Sequence, residues 1–251
     1  MPKQPREYYR ALAEHYDWFV WDEMVDEQMR DLVPLLRANN VGTVLDCACG
    51  TGVQLIALAA AGFDVTGSDL SAEMLDKCRE KALGAGFSPT LVECDVRDLR
   101  RCVAGPFDAV ICMGNVLPHL MREQDVADAL ANMRGVLRPE GLLVIEMRYY
   151  DQLLQDRPRY IPFRVNVEDG ADRVTILYVF TYLEKTVRVS VVFQIQHQDG
   201  RLELQTESVE YNPITTGQLE SLLNNAGFAR IKMSRRDQRL FCAAKTAAAD
   251  T

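Results

Sequence analysis

Asp46, Gly50, Gly52 and Asp69 are the residues whose types and spacing first suggest chemistry. Two glycines in a short turn let the backbone approach a ligand with no Cβ in the way. A carboxylate roughly 20 residues beyond such a turn is placed to accept hydrogen bonds from a ribose diol. Asp69 stands there, closing Phe63-Asp-Val-Thr-Gly-Ser-Asp69. Leu55 occupies the third glycine position of the dinucleotide fingerprint G-x-G-x-x-G, which weighs against NAD or FAD. The lysine of a phosphate-binding loop is missing as well. One carboxylate meeting two neutral hydroxyls suits adenosine without a 2′-phosphate.

Further along, Asn115, His119 and Arg148 are candidates for holding a second, smaller ligand. Each has a plain structural reading beside the functional one. Asn115 after Gly114 could form a strand-end turn, and His119 after Pro118 could cap or pack. Arg148 directly follows an apolar run, so its charge needs an anion, and the planar guanidinium fork fits a carboxylate. That anion is either a ligand or a neighbour such as Asp151. Cys47 and Cys49 could be half of a metal site, but there is no C-x-x-C pair and only His15, His119 and His197 offer imidazoles. No metal is expected.

These residues act together only if strand ends bring them to one edge. Val44 and Leu45 end a buried strand, and Leu55, Ile56, Leu58 and Ala59 recur at helical spacing after the glycine turn. Strand, turn and helix leave free backbone N–H groups at the helix N-terminus, a ready nucleotide site. Before them lies an aromatic stretch with Tyr8, Tyr9, Tyr16, Trp18, Phe19 and Trp21. A helix over 22–37 follows, with Pro34 marking a kink or a break. That helix reads as sheet packing; for Tyr9 and Tyr16, ordinary packing and a lid over the ligand both stay open. Ser71 is an N-cap for a helix ending near Gly84 or Gly86. Residues 90–95 form the third strand and end on Asp95. Val110, Ile111 and Cys112 belong to a fourth strand, buried on both faces. A helix with Val126, Leu130 and Met133 leads into a turn at Arg138–Gly141 and a fifth strand over 142–147, which delivers Arg148, Tyr149 and Tyr150 to the same edge.

Over 160–212 the pattern changes to β-branched and aromatic alternation, with Asp169-Gly170 and Asp199-Gly200 as hairpin turns. This predicts an inserted antiparallel sheet that covers the site. Thr215-x-x-Gln218 resembles a capping box, opening a helix that stops at Gly227. Strands over 228–234 and 240–245 then pair antiparallel, and the last five residues fray.

Asp46-Cys-Ala-Cys-Gly-Thr-Gly52 resembles the first motif, D-x-G-x-G-x-G, of class I S-adenosylmethionine (SAM) methyltransferases. Ala48 replaces its first glycine, as in the glycine and sarcosine N-methyltransferases. Met113-Gly-Asn-Val-Leu-Pro-His-Leu120 is similar to that group's G-N-x-x-x-H-L, and Gly141–Asp151 to its G-L-L-V-I-D-x-R-x-Y-D. The resemblance implies an α/β fold: a doubly wound, mostly parallel seven-stranded sheet, Rossmann-like, with an inserted antiparallel β-sheet lid. Residues 1–39 are then an aromatic and helical lid segment, 40–150 the SAM-binding core, 151–212 the substrate region, and 213–251 the last helix and strands. Tyr9, Tyr16, Asp46, Ala48, Gly50, Gly52, Asp69, Leu70, Asp95, Val96 and Met113 are the implied cofactor contacts, with Asp95 facing the adenine amino group. Asn115 would hold an amino acid acceptor and Arg148 its carboxylate, with His119, Tyr150, Tyr160 and Tyr211 lining the pocket. S-adenosylhomocysteine would be the product. N- or O-methylation of another carboxylate-bearing metabolite, and SAM binding without turnover, remain as alternatives. That family's N-terminal cofactor-binding arginine has no counterpart that can be placed here.

Composition is ordinary for a soluble globular protein. The chain has 251 residues, 48% hydrophobic and 25% charged, with a net charge of −8. The acidity disfavours nucleic acid and anionic membrane as partners. A small-molecule substrate is expected, with a homo-oligomer compatible. No segment reads as a signal peptide and no apolar run reaches membrane-spanning length. The seven cysteines read as reduced, mostly buried thiols of a cytoplasmic protein.

Overall fold

Short apolar runs separated by helices at βαβ spacing pair in parallel, since each run needs cover on both faces. In the computed structural model, which describes residues 5–12, 16–19, 22–170 and 172–247, they do so. The chain enters through α1 (Pro5–Leu12), a 3₁₀ turn at Tyr16–Phe19 and α2 (Asp22–Ala38). The core alternates β1 (Thr43–Cys47), α3 (Val53–Ala60), β2 (Asp64–Asp69), α4 (Ala72–Gly84), β3 (Thr90–Glu93) and α5 (Leu99–Cys102). It continues through β4 (Phe107–Cys112), α6 (Glu123–Gly135), β5 (Leu137–Arg148) and α7 (Tyr150–Asp156). A second unit holds β6 (Tyr160–Asp169), β7 (Asp172–Tyr182), β8 (Val187–Gln196) and β9 (Leu202–Tyr211). The chain then returns through α8 (Thr216–Asn225), β10 (Phe228–Arg236) and β11 (Arg239–Thr246).

The large sheet runs β10-β11-β5-β4-β1-β2-β3, with β11 antiparallel to β5 and to β10. Strand order reverses between β1 and β4, and a ligand crevice opens beyond the strand ends at such a point. Val44, Leu45, Val110, Ile111, Leu143 and Val144 are wholly buried at the centre of this sheet. The small sheet runs β6-β7-β8-β9. Along β8, Val187, Val189, Val191, Phe193 and Ile195 are buried while their neighbours are partly exposed, so one face packs inward. Phe193 meets Trp18 and Phe19, both at 5.6 Å between ring centroids, which ties the N-terminal segment to the inserted sheet.

Several local expectations change. Arg138–Gly141 lies within β5 and is not a turn before it. Leu137 already pairs with Phe107, the register then slips, and Glu140 takes φ 57° to absorb the extra residues. Pro34 sits inside an unbroken α2. The third strand stops at Glu93, which puts Asp95 on a loop. The thiols are not all free: Cys94 and Cys102 form a disulfide, because the single turn of α5 brings their Cα atoms to 6.1 Å. Cys47, Cys49, Cys78, Cys112 and Cys242 are free and buried. Ser71 accepts from the Met74 N–H as an N-cap, and the Thr215–Gln218 capping box is complete. His15, Trp21 and residues 248–251 lie outside the described residues. No helix among the described residues is long and apolar enough to cross a membrane.

Candidate active site

The ends of β1, β2 and β4 and the N-terminal segment enclose a cleft of about 550 Å³. Ala48, Gly50, Asp69, Leu70 and Met113 line its floor, Asp95 and Val96 one end, and Tyr9 and Tyr16 its cover. Gly50 takes φ 54° and Gly52 φ 83°, both in the left-handed region that favours glycine. A Cβ at Gly52 would collide with Cys78 Sγ. Gly52 therefore shapes the turn from behind and does not line the cleft. Ala48 stands at φ 61°, the strained place where the motif usually has glycine.

Two buried carboxylates lie under this loop. Asp69 accepts from the Gly50 N–H and the Ser71 N–H, each at 2.9 Å, one on each oxygen. Asp46 is 1% exposed, and its Oδ2 has no hydrogen-bond partner among the described residues. Burial raises the pKa of both carboxyls; the nearby Asp69 charge pushes Asp46 up further, while backbone N–H bonds partly offset the rise at Asp69. The floor thus favours a cation. At the far end, Arg97 donates to Asp95 through its backbone N–H and Nε, both at 2.9 Å, and a further guanidinium N–H at 2.7 Å.

The second group of residues meets where β4 and β5 end. The Asn115 Oδ1 accepts from the Arg148 N–H at 3.0 Å, and its Nδ2 donates to the Tyr150 hydroxyl at 3.1 Å. So the strand-end role and the site role of Asn115 coincide: φ 71° turns the chain and aims the amide. Tyr150 is wholly buried. Tyr211 has its hydroxyl within reach of Asn115 and Tyr9, and burial pushes its pKa up to about 12. The His119 Nε2 lies 2.8 Å from the Tyr9 hydroxyl, while Nδ1 is buried without a partner. Burial lowers its pKa to about 3, so the imidazole is neutral at working pH. Its ring lies 4.6 Å from that of Tyr211.

Tyr160 is not brought to the site. It is 65% exposed on the edge strand β6, and its partner Val179 points the same way. Tyr178, one residue out of phase with Val179 on β7, turns inward instead, with the Arg148 guanidinium 5.1 Å from its ring centre. Sequence alternation contained this signal, since Tyr178 shares a face with Phe180 and Ile176, both buried. Arg97 was also missed; it is a surface-type residue two positions from the carboxylate that it holds.

Residues 44–141 match the family model described as a methyltransferase domain. A glycine/sarcosine N-methyltransferase from Halorhodospira halochloris is 37% identical over 161 residues, 61% of this chain and 60% of that protein. The glycine N-methyltransferase of Oryctolagus cuniculus is 30% identical over 212 residues, 78% of this chain and 72% of that one. The chain spans less than two thirds of the length of several of these relatives. Among solved structures, an amino pentose methyltransferase from Micromonospora echinaspora with SAM bound superimposes with a TM-score of 0.75 at 21% identity, covering 88% of this chain and 91% of that one. That likeness speaks to the fold. Sheet order, glycine turn and matched motif define a methyltransferase domain of the doubly wound α/β class. Within that class, the chain belongs to the glycine N-methyltransferase family.

Proposed function

We propose that the cleft binds SAM and that the chain transfers its methyl group to the amine of a small amino acid, glycine or sarcosine first. The residues fit this cofactor. Asp69 offers a carboxylate whose direction two N–H bonds have set for a ribose diol. Asp46 keeps an orphaned buried oxygen beneath the glycine turn, and no basic side chain pairs with either carboxylate among the described residues. When bound, SAM supplies a methyl group on a leaving group that needs no further activation.

The chain's own work is then alignment. The observation that carries the acceptor reading is Arg148. No carboxylate pairs with its guanidinium among the described residues, and Asp151, the obvious neighbour, instead accepts at Oδ2 from the N–H and hydroxyl of Thr216 at 2.9 and 2.8 Å. A half-buried fork at the ligand edge is therefore available for a substrate carboxylate. Asn115 Oδ1 keeps a second lone pair with which to accept from the amine. Tyr211 and Tyr16 stay protonated and His119 stays neutral, so none of the three is poised as a base at neutral pH. The amine arrives as the free base and releases its proton to water after transfer.

The test measures S-adenosylhomocysteine release with glycine, sarcosine, dimethylglycine, other amino acids and the matching amines lacking a carboxylate. Turnover confined to carboxylate-bearing amines is expected. Arg148→Ala should then lose about two to four decades of kcat/KM on them, as roughly 3–5 kcal/mol is lost when a buried ion pair is broken. Equal rates on amines without a carboxylate would overturn the amino acid reading. SAM binding with no turnover on any acceptor would overturn the enzyme reading.

A further inference from the structure

The site residues place Arg148 at the end of β5, but its guanidinium is held from the other sheet. Its Cζ lies 5.1 Å from the centre of the Tyr178 ring and 5.3 Å from that of Phe180. The two rings stand two residues apart on one face of β7, 6.4 Å between centroids and inclined at 64°. We propose that Tyr178 and Phe180 are positioning residues that bracket the Arg148 guanidinium, so that the inserted sheet completes the carboxylate anchor and sets acceptor specificity. This rests on the acceptor reading of Arg148 given above.

The physical case is one of geometry. A guanidinium is attracted by aromatic faces within about 6 Å. Its N–H donors all lie in its plane, so stacking uses none of them and leaves the fork for a carboxylate. An ion pair with Asp151 would have used the donors instead, and Asp151 is bound to Thr216. The bracket is itself rigid. Tyr178 packs against Phe163 at 4.8 Å and stacks with Phe19 at 6.5 Å. Phe180 is 5% exposed, and its β8 partner Val189 is buried. From the backbone side, Asn115 Oδ1 accepts the Arg148 N–H and fixes where the side chain begins. The arginine is thus held at its root by the loop after β4 and at its head by β7.

The test is a double-mutant cycle on the full chain, read as steady-state kinetics on sarcosine, with SAM affinity and melting temperature measured alongside. Tyr178→Leu should raise the KM for sarcosine about 3- to 30-fold, with kcat and SAM affinity little changed. Tyr178→Phe keeps the ring and should stay near the parent. On an Arg148→Ala background Tyr178→Leu should add nothing. Phe180→Leu, carried through the same cycle, stands in if Tyr178→Leu does not fold. A loss from both leucine variants that persists without Arg148 would overturn the bracket. So would Tyr178→Phe behaving like Tyr178→Leu, since the hydroxyl would then be the acting group. If Arg148→Ala itself leaves sarcosine kinetics intact, the acceptor reading fails. If Arg148→Ala raises KM and neither leucine variant does, the bracket alone fails.

Discussion

Asp69 is tied down before any ligand arrives, with one backbone N–H on each oxygen. Its remaining lone pairs face the cleft in a fixed direction, which is what two ribose hydroxyls require. Asp69→Ala should therefore cost about 1–3 kcal/mol of SAM affinity, and calorimetry that finds no loss would remove the ribose role. His119 makes a different prediction. Its folded pKa falls from 6.5 to about 3 because burial penalises the imidazolium. Below about pH 6.5 the unfolded chain takes up a proton there that the folded chain refuses. Stability is thus fully present above that pH and declines as pH falls toward the folded value, by at most about 1.4 kcal/mol per pH unit from this group. Urea midpoints of the parent and His119→Gln, followed from about pH 7 to 5, should converge as pH falls. Parallel curves would mean that the imidazole charges freely in the folded state.

At the scale of elements, the loop from β3 to α5 is the part of the cleft with the least regular structure and the most ties. Arg97 forks Asp95 and reaches Asp125 at 3.4 Å, and Arg122 holds Asp125 in turn at 2.6 Å. The Cys94–Cys102 disulfide closes the same loop over a separation of eight residues. A crosslink of that span removes about 2–3 kcal/mol of loop entropy from the unfolded chain. Cys102→Ser should lower the melting temperature accordingly. A dithiol reductant should bring the parent down to the same value and leave the variant unmoved. If the reductant lowers both equally, the loss belongs to some other thiol chemistry.

For the whole molecule, legibility followed the reach of each signal. β4 and the later part of β5 were readable because strands buried on both faces are continuous apolar runs, β2 by its place before Asp69, and the strand order puts Ala48, Asp69 and Met113 at one edge. Asp46 and Asp69 stood out in the sequence because they flank the glycine turn at the spacing of a nucleotide motif. Contacts between distant segments left no such mark: the hydrogen bond of Tyr9 to His119, the ion pair of Arg97 with Asp125 and the placing of Arg148 over the Tyr178 ring join residues only once the chain has folded. Tyr160 misled because a tyrosine opening a half-buried strand looks the same on either face, and one step of register sent it to solvent. This division between a legible core and an illegible seam makes a prediction about the molecule as a whole. Among the described residues, those that line the cleft run up to Asp125 and include none from the inserted sheet. That sheet reaches the site through Tyr178, Phe180 and Tyr211 and through the N-terminal segment. Its β8–β9 hairpin lies at the far end, where His197 is clasped by Asp172 of β7 at 2.9 Å and Glu203 of β9 at 3.2 Å. Replacing 197–201 with Asn-Gly keeps a hairpin but removes the clasp on β7, the strand that carries Tyr178 and Phe180. SAM affinity should be nearly unchanged, while the acceptor KM rises. Equal loss of both would show that the inserted sheet serves global folding, and loss of neither would show that the acceptor site does not depend on how firmly β7 is held.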